Sequence, residues 1–136
     1  AACPRAEDIP WAAEEALRSG TVALVVAELA AAPDLRQVRR LHMAAAEGGA
    51  RARAAGLGLA PLGLALMAEA VEGGIAGVES RWRLAPLPPE GGAAGPAWRL
   101  DRLRGRDAPP AAWHVAGGGG DWRVQAMAGE RAFEGP

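Results

Sequence analysis

Arginine and tryptophan recur together along the second half of this chain: Arg81-Trp82-Arg83, then Trp98-Arg99, Arg102, Arg104 and Arg106, with Trp113 and Trp122 following. Guanidinium groups neutralise phosphates and indole rings stack on bases, so this combination suits single-stranded nucleic acid. The same arginines also suit the solvated face of an edge sheet, where charge discourages edge-to-edge pairing. Other reactive groups stand alone. Cys3 has no base at a recognisable spacing and reads as a passive thiol. His42 falls in an apolar helical stripe with no second ligand at metal spacing, so a packed, hydrogen-bonded imidazole is expected. His114 alternates away from Trp113 and Val115 and should face solvent. The run Gly117 to Gly120 reads as a flexible hairpin connection, because no helix follows it to hold a phosphate at its N-terminus. Every basic residue is Arg, and without Lys the chain contains no G-x-x-x-x-G-K-[ST] phosphate loop.

Sixteen acidic against 15 basic residues leave a net charge of −1, too little for long-range attraction to nucleic acid. The length of 136 residues fits one domain, and an apolar half fits a globular one. One cysteine excludes an internal disulfide and points to a reducing, cytoplasmic setting. No window of ~18 uninterrupted apolar residues marks a membrane span. The chain starts at Ala1 and runs almost at once into a helix, which suggests a piece of a longer protein.

The elements that must position these groups follow from periodicity. Asp8 and Pro10 start a helix whose stripe is Ile9, Ala12, Ala13, Ala16 and Leu17, with Glu14, Glu15 and Arg18 opposite and Gly20 at its end. Trp11 falls on the polar side of that helix, where a large ring is unexpected. Thr21 to Leu29 is a Val-rich run that reads as a strand buried on both faces. Pro33 and Asp34 start a second helix with the stripe Leu35, Val38, Leu41, His42 and Ala45, closed by Gly48-Gly49, with Arg36 and Arg40 outward. Ala54 to Ala60 is a weaker strand candidate, and Leu64 to Glu72 a short helix. The alternation of helix and strand predicts right-handed crossovers in a parallel sheet. After residue 80 the pattern changes to short alternating strands, each carrying a Trp, with Leu103 out of phase as at a bulge. Core packing is the expected role of those four rings. The expected layout is a parallel part over 1–60, a variable loop or helix over 61–80, antiparallel strands over 81–128 and a tail over 129–136.

Three groups of residues carry a family resemblance. Glu14 to Leu29 (EEALRSGTVALVVAEL) resembles the helix and strand of RecA-fold proteins that bear the second nucleotide-binding motif. Trp98 to Pro110 (WRLDRLRGRDAPP) resembles the antiparallel strand pair at the end of that core. With PWAAEEALRSG, RRLHMAAAEGG and ESRWRLAPLP, the chain resembles ImuA-type SOS mutagenesis proteins, a RecA- and SulA-like family, over nearly its whole length except about 63–77.

The resemblance implies an α/β fold: the C-terminal half of a RecA-like core, with parallel strands and crossover helices followed by an antiparallel extension. It implies a non-catalytic accessory factor of error-prone translesion synthesis in the DNA damage response. Its implied partners are an ImuB-type Y-family polymerase relative and an error-prone replicative-type polymerase. A RecA-type ATPase needs an acid at the end of a buried strand to orient Mg²⁺. At that point the chain reads Val25-Val26-Ala27-Glu28, with Ala27 in the acid's place. Glu28 is then a displaced ligand or, more simply, a strand-mouth residue making loop hydrogen bonds. No cofactor or metal is expected. The region matching DNA-binding loops, Pro61 to Ser80, carries Glu69, Glu72 and Glu79 and no Arg, so direct DNA contact should be weak. Trp11, Arg99, Arg102 and Arg104 remain as interaction candidates. Two rival readings stay open: an ATPase half whose phosphate loop lies on a preceding segment, and a single-stranded DNA-binding module.

Overall fold

The computed structural model describes residues 5–68, 74–88, 95–118 and 120–127. Cys3, Glu69, Glu72, Gly73, Gly119 and the 129–136 tail lie outside the described residues. The fold is mixed α/β, and the chain divides into two compact units, Ala1–Gly77 and Val78–Pro136.

In the first unit, a 3-10 turn at Ala6–Asp8 leads into α1, Ile9–Ser19. Asp8 occupies the N-cap position but its side chain makes no capping bond; Pro10 supports the first turn, and Gly20 ends the helix at φ 72°. β1 spans Leu24–Glu28, α2 spans Leu35–Ala54, and β2 spans Leu62–Leu66. β1 and β2 pair in parallel, from Leu24 opposite Leu62 to Glu28 opposite Leu66. α2 is therefore the crossover helix of a β-α-β unit, as the alternation predicted. Asp34 and Gln37 start it with a reciprocal capping box.

Three expectations for this unit are corrected. The second strand is Leu62–Leu66, not Ala54 to Ala60, and it takes up the start of the stretch expected to be helical from Leu64. Helix α2 passes through Gly48-Gly49 instead of closing there, because neither glycine adopts the left-handed conformation that ends a helix. β1 is covered on one face only. Val25, Ala27, Gly63 and Ala65 share the face on which α1 lies, with Leu17 seated over Gly63. Leu24, Val26, Leu62, Leu64 and Leu66 share the opposite face and are exposed.

The polar side of α1 is only partly a solvent face. Glu14 is 3% exposed and receives the Arg40 guanidinium from α2, through Nε at 3.1 Å and Nη2 at 2.9 Å. Arg18 bridges Glu15 and, through Nε at 3.0 Å, Glu47, while Arg51 donates to the Arg18 carbonyl oxygen at 3.0 Å. The Arg40–Glu14 and Arg18–Glu47 ion pairs and the Arg51 hydrogen bond join α1 to α2, and Gly48 lets the two backbones touch at Leu17 and Gly20. Buried α2 positions are Val38, Ala44, Gly48, Gly49 and Ala52. His42 is exposed rather than packed in a stripe.

The second unit is a four-stranded antiparallel meander. Its strands are β3 (Ser80–Leu87), β4 (Ala97–Gly105), β5 (Ala111–Gly118) and β6 (Asp121–Ala126). Four Trp-bearing strands were legible in the alternation, and so was the bulge. The β3–β4 register slips between Arg81 and Trp82, which leaves Leu103 without an opposite residue. Gly117 and Gly118 belong to β5, so the hairpin turn is shorter than the glycine run suggested.

Candidate interaction surface

The register of the meander sorts its side chains, since directly opposite residues share a face. Trp82, Leu84 and Pro86 of β3 lie on one face with Trp98, Leu100 and Arg102 of β4. Trp113 and Val115 of β5 and Trp122 and Val124 of β6 continue it. All four tryptophans of the meander are therefore on the same side. They do not form an enclosed core: Trp82 and Trp122 are exposed and Trp98 and Trp113 half-buried. The rings pair across strands, Trp82 with Trp113 at 5.5 Å and Trp98 with Trp122 at 5.4 Å between centroids. Tilted indole pairs at this spacing are attractive beyond their buried area.

Arg102 is the one cation on the Trp face among the described residues. Its guanidinium carbon stands 5.6 Å from the Trp82 centroid and 5.3 Å from that of Trp113, and its Nε donates to the Pro109 carbonyl oxygen at 2.9 Å. The rings and that hydrogen bond hold its side chain in place.

The other arginines lie elsewhere. Arg83 and Arg99 share the reverse face with Asp101, and Arg81 stands opposite Arg104 there. Asp101 is 1% exposed and accepts from Arg99 Nε at 2.9 Å. Ala112 is buried beside it, and His114 is half-buried opposite Arg99 and Gln125, rather than fully solvent-facing. Arg106 pairs with Glu79 at 3.3 Å. Of the three arginines singled out in the sequence, Arg102 stands over the meander's tryptophan rings, while Arg99 and Arg104 are on the cationic side. Alternation alone sets Arg99 apart from Arg102; the bulge at Leu103 then puts Arg104, which parity would give to the Trp face, on the reverse side.

Glu28 is exposed at the end of β1. It borders a shallow recess of about 390 Å³ with Ala6, Ile9, Leu29, Ala30, Ala31, Ala32, Met67 and Ala68. That lining holds one carboxylate and no cation, a poor match for a polyphosphate. Among the described residues no three His, Cys, Asp or Glu side chains converge as metal ligands. No helix of the described residues is long and apolar enough to cross a membrane.

Trp11 is 61% exposed, as its place on the α1 wheel predicted. A ring in that position buries little, so Trp11→Ala is expected to change stability by under ~1 kcal/mol, against ~3–5 kcal/mol for truncating a buried Trp. Equilibrium urea unfolding of the full chain checks this; a loss above 2 kcal/mol would mean that the ring is packed. No family model, curated protein or solved structure matches the chain.

Proposed function

We propose that this chain is a non-catalytic, cytoplasmic adaptor of error-prone translesion DNA synthesis, the C-terminal half of a RecA-like core that docks an ImuB-type polymerase relative. The observation that carries the docking role is the sorting of the meander: four tryptophans and a held arginine share one accessible face, and among the described strand residues no acid shares it. Trp and Arg are the residues that most often dominate protein–protein binding energy. The element order, a β-α-β unit followed by an antiparallel meander, supports the RecA-like assignment. The same sorting disfavours the single-stranded DNA reading, which needs rings and phosphate-binding cations on one surface. Here most of the meander's cations are on the reverse face.

The test is affinity for a purified ImuB-type partner. Replacing Trp82 and Trp122 together by Ala is expected to weaken binding roughly 30-fold or more, the effect of losing one hot spot of ~2 kcal/mol or better. Replacing Arg104 by Ala on the reverse face should leave affinity within about twofold, as for an energetically neutral contact. Unchanged partner affinity in a folded Trp82/Trp122 double variant would remove the Trp face from the docking role. Tight, steeply salt-dependent binding of single-stranded DNA would support the nucleic-acid reading instead.

A further inference from the structure

The last strand of the meander is an open edge. β6 is exposed at all six residues and, among the described residues, has β5 as its one neighbouring strand. The phase of its ladder follows from one bond, Met127 N–H to the Ala112 carbonyl oxygen at 3.0 Å, combined with the register that sets Trp113 opposite Ala126. In an antiparallel pair a residue's N–H and C=O point the same way, and that direction alternates along the strand. Arg123 and Gln125 therefore turn their backbone groups to β5. Trp122, Val124 and Ala126 turn theirs to the open edge. The opposite edge differs: β3 carries Pro86, which has no N–H, and lies against the bulge at Leu103. β6 has no Pro and no register shift.

We propose that β6 pairs with β6 of a second copy of this chain, antiparallel about a two-fold axis at Val124, joining two four-stranded sheets into one of eight. This goes beyond the adaptor role and stands without it. The sequence of β6 selects both the occupant and the register. With Val124 opposite Val124, Trp122 falls opposite Ala126 and Arg123 opposite Gln125. Every outward backbone group then meets an outward group, a large ring meets a small side chain, and no like charges face each other. Moving the axis to Arg123 sets two guanidinium groups directly opposite, which destabilises a cross-strand pair. Moving it to Gln125 takes Trp122 beyond the partner's paired residues. A two-fold pairing of this kind is closed, so it stops at the dimer.

Sedimentation equilibrium of the full chain across a concentration series reads the proposal. A monomer–dimer equilibrium is expected. Val124→Pro removes an N–H that points away from β5, so it should leave the circular dichroism and Trp emission of the monomer, read at low concentration, unchanged while abolishing the dimer. Two further variants read the register without touching the backbone. Gln125→Glu creates two Arg–Glu pairs per dimer and should tighten association roughly 2- to 30-fold, an effect that fades with added salt. Gln125→Arg creates two like-charge pairs and should weaken it by a comparable factor. A monomer at every concentration, a dimer indifferent to Val124→Pro, or Gln125 variants that do not move the constant in opposite directions would overturn the proposal.

Discussion

Gly48→Ala is expected to destabilise the helical unit by about 3 kcal/mol, near the upper end for overpacking, while Gly49→Ala next to it stabilises by up to ~1 kcal/mol, the helix-propensity gain. The two glycines are adjacent in one helix and both are buried, so composition and burial make them equivalent. Their surroundings do not. A Cβ on Gly48 would fall within the carbonyl oxygen of Leu17 and crowd the Gly20 nitrogen at 3.4 Å, and both obstacles are backbone. Relief requires α1 to move away from α2, which disturbs Leu17, itself 1% exposed, and the Arg40–Glu14 and Arg18–Glu47 pairs. A Cβ on Gly49 meets the Arg53 guanidinium at 3.4 Å and Pro61 at 3.7 Å, and a flexible Arg can shift. Denaturant titration followed by helical circular dichroism separates the two. A neutral or stabilising Gly48→Ala would mean that the helices do not approach as closely as described.

Asp101→Ala is expected to lower the stability of the meander by about 2–3 kcal/mol. Breaking a fully buried ion pair costs ~3–5 kcal/mol because a charge is left without its partner. Arg99 retains 24% side-chain exposure and water can reach it, which places the expectation below that range. Arg83 stands directly across from Asp101 on the same face, so the carboxylate offsets its charge as well. Asp101→Asn keeps a carbonyl acceptor for Arg99 and should lose less, about 1–2 kcal/mol, the scale of a hydrogen bond to a charged group. Thermal unfolding followed by Trp emission measures both. Equal effects of Ala and Asn would assign the whole contribution to charge, and no effect of either would show that the pair adds nothing to the meander.

The sequence was most informative where its period was local. Alternation around Trp82, Trp98, Trp113 and Trp122 located four strands, and the out-of-phase Leu103 marked the bulge. The Asp34 cap and the crossover position of α2 were legible for the same reason. What escaped depended on partners far along the chain. Glu14 reads as a surface carboxylate until Arg40, 26 residues later, is brought to it. Gly48-Gly49 reads as a helix stop until Leu17 is seen to need the space. The Leu62–Leu66 strand was missed because its alternation is one of size, Leu against Gly and Ala, with no polar residue to mark a solvent face. At the candidate surface, Arg and Trp looked interleaved along the chain, but a pleat projects neighbours to opposite sides, so the meander separates what the sequence mixes.

The uncovered face of β1 and β2 has a consequence for the chain's behaviour in concentrated solution. Leu24, Val26, Leu62, Leu64 and Leu66 form a flat aliphatic patch on two strands without proline, with the composition of segments that template their own aggregation. Glu28 shares that patch, opposite Leu66, and is its one charge among the described residues. Charged residues at the end of such a segment act as gatekeepers, since stacking copies in register would bring their carboxylates together. The role that geometry gives Glu28 is thus colloidal: one negative charge that sets aliphatic strands at odds with their own self-assembly.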